Sequence, residues 1–88
     1  HALPTDARYG PEAEAMESEN RRMVWEGFEH LSPEIRMAVI LRDIQGKSYD
    51  EIAEIMTLPL GTVKSRVNRG RLQLARVLKE YKERNHGM

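Results

Sequence analysis

The 88-residue chain contains no cysteine, so a disulfide framework and a thiolate metal site are both excluded, and the composition is compatible with a reducing compartment. No apolar run approaches the length of a membrane span, and no basic-then-apolar signal sequence opens the chain. A soluble protein without a targeting segment is the expectation. Also missing are a Gly-rich phosphate loop, an activated nucleophile and a carboxylate pair with a cleft to occupy. One domain of this size supports a modest core but not a deep catalytic cleft, so neither an enzyme nor a cofactor is expected, nor a small-molecule substrate. His30 and His86 are isolated, with nothing near either at metal-ligand spacing. The chain starts at His1 without a methionine, as an excised piece of a longer protein would.

Net charge is absent as well, since 14 Lys and Arg balance 14 Asp and Glu. The balance conceals a segregation along the chain. Residues 1–34 carry eight acids and three bases, a net of −5, whereas residues 60–88 carry two acids and eight bases, a net of +6. Lys64, Arg66, Arg69, Arg71 and Arg76 follow one another with no acid among them. Such a run is most often a solvated helix face, but it is also an electrostatic footprint for a polyanion.

Residues 1–10 contain Pro4 and Gly10 and few large apolar side chains, and are expected to be a flexible tail or linker. From Pro11 to about His30 the sequence is rich in Glu, Ala and Met without internal proline, which predicts a helix. Val24, Phe28 and Leu31 form its apolar stripe, with Met16 and Met23 beside it and Trp25 on the far side. Ser32-Pro33-Glu34 is a helix start: a hydroxyl N-cap, a proline at the first helical position and an acid at the positive dipole end. The helix is expected to run to Ile44 or Gln45 and to end at Gly46. Ile35, Ala38 and Val39 make one apolar stripe on it, and Met37, Ile40, Leu41 and Ile44 another, so it should lie sandwiched at the centre of the domain, with Arg36, Arg42 and Asp43 emerging at an edge.

Ser48 and Glu51 form a capping box that fixes the start of a third helix, whose Tyr49, Ile52, Ala53 and Met56 face the core. Ala53 is small where the third and fourth helices should cross closely. Thr57-Leu58-Pro59 breaks the pattern and Leu60-Gly61-Thr62 begins a basic helix, expected to end near Glu83. Pro59 offers no side-chain cap, which leaves amides suited to a phosphate. Val63, Val67, Gly70, Leu74, Val77 and Tyr81 form the buried stripe of this helix. Ser65, Asn68 and Arg69 point away from it, with Lys64 on one flank and Arg66 on the other. A short acidic helix, a turn and a longer basic helix over residues 48–71 make a helix-turn-helix.

The run LSPEIRMAVILRDIQGKSYDEIAEIM, followed by GTVKSRVNRGR, resembles region 4 of bacterial sigma-70 factors, especially the extracytoplasmic-function (ECF) group. The resemblance is continuous from about Leu31 to Arg76 and looser from Pro11. It implies an all-α fold, a compact four-helix domain with a C-terminal helix-turn-helix of winged-helix-like or sigma region 4 type, over residues 11–84 with a frayed end at 85–88. It implies a domain that recognises the promoter −35 element in double-stranded DNA, docks on the β-flap tip of RNA polymerase and is open to control by an anti-sigma factor. Carried over by position, Lys64, Ser65, Asn68 and Arg69 match the residues that approach base edges. Arg42, Tyr49, Thr62, Arg66 and Arg71 match backbone-contacting positions. Asn68 stands where relatives often carry an aromatic residue or histidine, and Leu72 where many carry glutamate.

The residues have structural readings too. Tyr49 suits a core edge, Arg42 could pair with Asp43, Asp50 or Glu54, and Arg71 could lie along the apolar stripe. The competing functional class within DNA binding is the helix-turn-helix output domain of a response regulator, which shares the E-I-A and T-V-K-S pattern. The Leu31-Ser32-Pro33-Glu34 entry and the N-terminal acidic helix favour the sigma reading over it.

Overall fold

A computed structural model describes residues 11–86, with side-chain surroundings defined for residues 14–84; the tail expected at residues 1–10 lies outside the described residues. Four helices follow in order: α1 (Pro11–Phe28), α2 (Pro33–Val39, continued by a π-helical turn Ile40–Ile44), α3 (Tyr49–Met56) and α4 (Leu60–His86). The described residues contain no strand.

Local chemistry sets three of the boundaries. The Ser32 hydroxyl accepts from the Ile35 amide at 3.4 Å with Pro33 in the first helical position, which starts α2. Ser48 and Glu51 exchange both bonds of a capping box, at 3.0 Å to the Glu51 amide and 2.8 Å from the Ser48 amide, which starts α3. Gly46, at φ +72°, ends the π turn, while the Gln45 amide reaches the Ile40 carbonyl at 3.0 Å and the Lys47 amide the Leu41 carbonyl at 2.9 Å. At the end of α3 the left-handed position is held by Thr57, at φ 56°. Its amide returns to Glu54 at 3.3 Å and that of Leu58 to Ala53 at 3.0 Å, the bond pair of a Schellman closure.

The core falls into two clusters on either side of α2. Ala38 and Leu41 pack with Ile52, Val63 and Val67 of the helix-turn-helix, joined at the margin by Tyr49, Ala53, Met56 and Leu58. Val39 packs with Phe28 and Leu31, joined by Val24, Ile35, Ile40 and Leu74. The sandwiched position expected for α2 is therefore observed, but the residues divide differently. Ala38 belongs with Leu41 on the helix-turn-helix side and Ile40 with α1, while Met37 and Ile44 are half exposed. Met16 is also exposed, because the first half of α1 extends away from the core. Trp25 is half exposed too and rests edge-on against Phe28, with ring centroids 5.2 Å apart.

Two departures concern close packing and a charge. A close approach to α4 that was not expected comes from α2 at Gly70: a Cβ there would lie 2.7 Å from Ile35 Cγ2 and closer still to Val39 Cγ2. Arg36 does not simply emerge at an edge. It is half-buried and donates from Nε to the Phe28 carbonyl and from Nη2 to the Leu31 carbonyl, both at 2.9 Å. The first bond reaches the carbonyl of the last residue of α1, where the helix dipole favours a cation, and the second reaches the connection to α2. The last turn of α4 continues to His86, beyond the expected end at Glu83.

Candidate nucleic-acid interface

The outer face of α4 is set by its inner one. Val63, Val67 and Gly70 are buried against α2 and α3, and at about 100° per residue this fixes the direction of everything between them. Lys64, Ser65, Asn68 and Arg69 are all exposed as a result. Asparagine and arginine on such a face can each bond a base edge bidentately, Asn to adenine and Arg to guanine. Thr62 is half-buried in the first turn of α4, where its amide, with that of Val63, returns to the Pro59 carbonyl at 3.0 and 3.1 Å.

One flank of this face gathers cations around Tyr49. The Arg42 guanidinium lies over the Tyr49 ring, 4.6 Å from its centroid, and donates to the Lys47 carbonyl at 2.8 Å. The Lys64 ammonium lies 5.9 Å from the same ring on α4. Both distances are within the range in which a ring quadrupole attracts a cation. Tyr49 is thus a half-buried core-edge residue whose ring also carries two positive side chains. Arg42 finds a carbonyl and a ring rather than Asp43, Asp50 or Glu54.

Asp43 is instead taken by Arg71, from 28 residues away, through Nε at 2.9 Å and Nη2 at 2.5 Å. The guanidinium holds the Asp43 carboxyl below the ordinary carboxylate range, chiefly through these hydrogen bonds, and Arg71 is pushed up in turn, mainly by its bond to Asp43. The Arg71 head group thus ends on a carboxylate. Asp43 is the participant that sequence reasoning missed, because nothing local marks a pair this far apart in the chain.

The opposite flank is different in character. Arg66 is half-buried and lines a groove of about 400 Å³ with Pro33, Glu34, Met37, Ile55, Met56 and Leu58. Arg42, Tyr49, Lys64 and Arg71 thus converge at one edge of α4, whereas Arg66 borders an apolar depression at the other. A second depression of about 380 Å³ runs between α1 and the π turn, lined by Glu17, Asn20, Arg21, Val24, Trp25 and Ile44. Among the described residues no cluster of His, Asp and Glu is fit to hold a metal, and no helix is long and apolar enough to cross a membrane.

Comparison with known proteins gives the family. The family model described as "Sigma-70, region 4" matches residues 21–74. The ECF RNA polymerase sigma-E factor of Haemophilus influenzae is 44% identical over 61 residues, which are 69% of this chain and 32% of that protein. The proteins of the same name from Salmonella typhimurium strain LT2 and Escherichia coli K12 are each 46% identical over 61 residues, with the same shares of the two chains. The chain spans about a third of the length of these curated relatives. The matches do not favour the response-regulator alternative.

Proposed function

Because the chain belongs to the sigma-70 region 4 family, with ECF sigma factors as its relatives, we propose that it is the promoter −35 recognition domain of an ECF sigma factor. The observation that carries this reading is the exposed row Lys64, Ser65, Asn68 and Arg69 on the outer face of α4, bordered by the cations gathered on Tyr49. In this reading the row enters the major groove and contacts base edges. Arg42, Tyr49, Thr62, Arg66 and Arg71 lie against the sugar–phosphate backbone, which fixes register without carrying sequence information.

The same role requires RNA polymerase, and the β-flap tip is the proposed seat. Half-exposed Met37 and Ile55 beside one depression, and Trp25 and Ile44 beside the other, supply apolar surface that a protein partner can cover. An anti-sigma factor covering either surface would hold the domain off the polymerase, and the proposed place of action is the cytoplasm, on nucleoid DNA. Joint binding of anti-sigma factor and polymerase flap without interference would count against shared use of these surfaces.

The test is a selection from a library of duplexes with a randomised stretch, carried out with the 88-residue chain and with Arg69→Ala. The expected result is an enriched motif for the wild type that loses discrimination at one position in the variant, by about 1 to 3 kcal/mol. Binding should weaken steeply as salt rises. An identical motif from Arg69→Ala would remove that residue from the base-reading row.

A further inference from the structure

Among the cations bordering α4, Asp43 is the acid in direct contact with one of them. It stands in the π turn, next in sequence to Arg42, and its carboxylate engages Arg71 through two N–H groups at 2.9 and 2.5 Å. The bidentate contact occupies the side of the guanidinium formed by Nε and Nη2, the same planar fork that would grip a phosphate. The two side chains are 35% and 45% exposed, so a phosphate can approach where water already does. At that exposure the pair contributes only modestly to folding, since water screens much of the attraction. Its effect on the local field is larger, because it cancels one positive charge of the row that borders the groove-facing side chains.

We propose that Asp43 is an affinity-setting residue of the DNA interface: it holds Arg71 in a neutral pair that a DNA phosphate has to displace, so the chain binds DNA less tightly than its cations allow. The inference rests on the DNA-binding reading above. Its physical content is a competition between two anions, one built into the protein and one on the duplex, for a single guanidinium. A weakened grip lets a domain leave DNA quickly and leaves base contacts a larger share of the discrimination.

The experiment measures duplex binding by fluorescence anisotropy over a range of salt for the wild-type chain, Asp43→Asn, Arg71→Gln and the double variant, with Asp43→Ser as a second removal of the charge. Asp43→Asn and Asp43→Ser should each tighten binding roughly two- to fivefold, the range an exposed ion pair represents. The slope of log K against log salt should steepen by about 0.9, the contribution of one more phosphate neutralised. In the Arg71→Gln background the same removal of Asp43 should gain clearly less, because no guanidinium is released. Equal gains in the two backgrounds would mean that Asp43 merely repels DNA, and would overturn the proposal. Weaker binding by Asp43→Asn would mean that Asp43 orients Arg71 for its phosphate, and would overturn it too. A wild-type chain without salt-dependent duplex binding would fail the underlying DNA-binding reading itself, an outcome visible before any variant is compared.

Discussion

Gly61 and Gly70 occupy the same helix, so one substitution made at both separates helix propensity from packing. Replacing a helical glycine by alanine removes unfolded-state freedom and favours the helix by about 0.4 to 1 kcal/mol where the new methyl meets nothing. At Gly61 there is nothing within 4 Å of the added Cβ. At Gly70 the methyl would stand 2.7 Å from Ile35 Cγ2 and nearer still to Val39 Cγ2. Val39 is 1% exposed and is confined by Phe28 and Leu31, and both neighbours are β-branched, so neither can turn aside cheaply. Overpacking of this kind typically costs about 1 to 3 kcal/mol, and with a clash against stiff side chains the upper part of that range applies. Offset by the propensity gain, Gly70→Ala should lose about 2 kcal/mol, and at roughly 4 to 8 °C per kcal/mol for a domain this small that is a fall in Tm of about 8 to 16 °C.

The assay is thermal unfolding followed by far-ultraviolet circular dichroism at one protein concentration. Gly61→Ala should melt at or a few degrees above the wild type, and Gly70→Ala well below it. A Gly70→Ala chain that melts at or above Gly61→Ala would refute the reasoning, since it would mean that α2 and α4 are not held at the separation described. A further loss in Gly70→Val, with a gain on shrinking the partner in Gly70→Ala/Val39→Ala, would localise the effect to this crossing.

Other consequences can be checked in the same way. Arg36→Ala removes two charge-assisted bonds to the carbonyls of Phe28 and Leu31 and should cost about 1 to 3 kcal/mol in urea unfolding, with Arg36→Lys unable to restore both. Thr57→Gly relieves a β-branched residue at φ 56° and should raise stability by about 1 kcal/mol, read as a higher melting temperature. The Asp43 carboxyl is held low by Arg71, so its contribution to stability is present above the unfolded carboxylate pKa of about 3.9 and is lost as pH falls through the folded value. Asp43→Asn should therefore lose less stability than the wild type between about pH 6 and about pH 3, by under about 1 kcal/mol given the exposure of the pair. An acid limb identical in the two chains would show the pair to be energetically silent.

What was legible in the sequence is what local chemistry writes. Ser32 with Pro33, Ser48 with Glu51, and Gly46 each announce a helix end within a span of four residues, and all three ends are where those residues require. The outer row on α4 followed as well, because Val63, Val67 and Gly70 fix the helix's rotation and the rest is geometry. What was not legible depends on contacts between distant positions. The π turn at Ile40–Ile44 cannot be found from a 3.6-residue period, and the apolar side chains of α2 divide between the two clusters differently from the two expected stripes. The close approach at Gly70 needs the identity of its neighbours across the crossing, and the Asp43–Arg71 pair needs the fold that brings residues 28 apart together.

These missed features are linked. Gly70 lets α2 lie directly on α4, and α2 continues into the π turn that carries Arg42 and Asp43. The turn thus reaches the flank of α4 where Lys64 and Arg71 emerge, and the Tyr49 ring at the start of α3 lies 4.6 Å from the Arg42 guanidinium and 5.9 Å from the Lys64 ammonium. A larger residue at Gly70 would press on Ile35 and Val39, the α2 residues that precede the π turn. The candidate interface is therefore not a property of the helix-turn-helix alone. Its exposed row of Lys64, Ser65, Asn68 and Arg69 belongs to α4, but Arg42 and Asp43 beside that row are carried by the continuation of α2, which packs against α4 at Gly70.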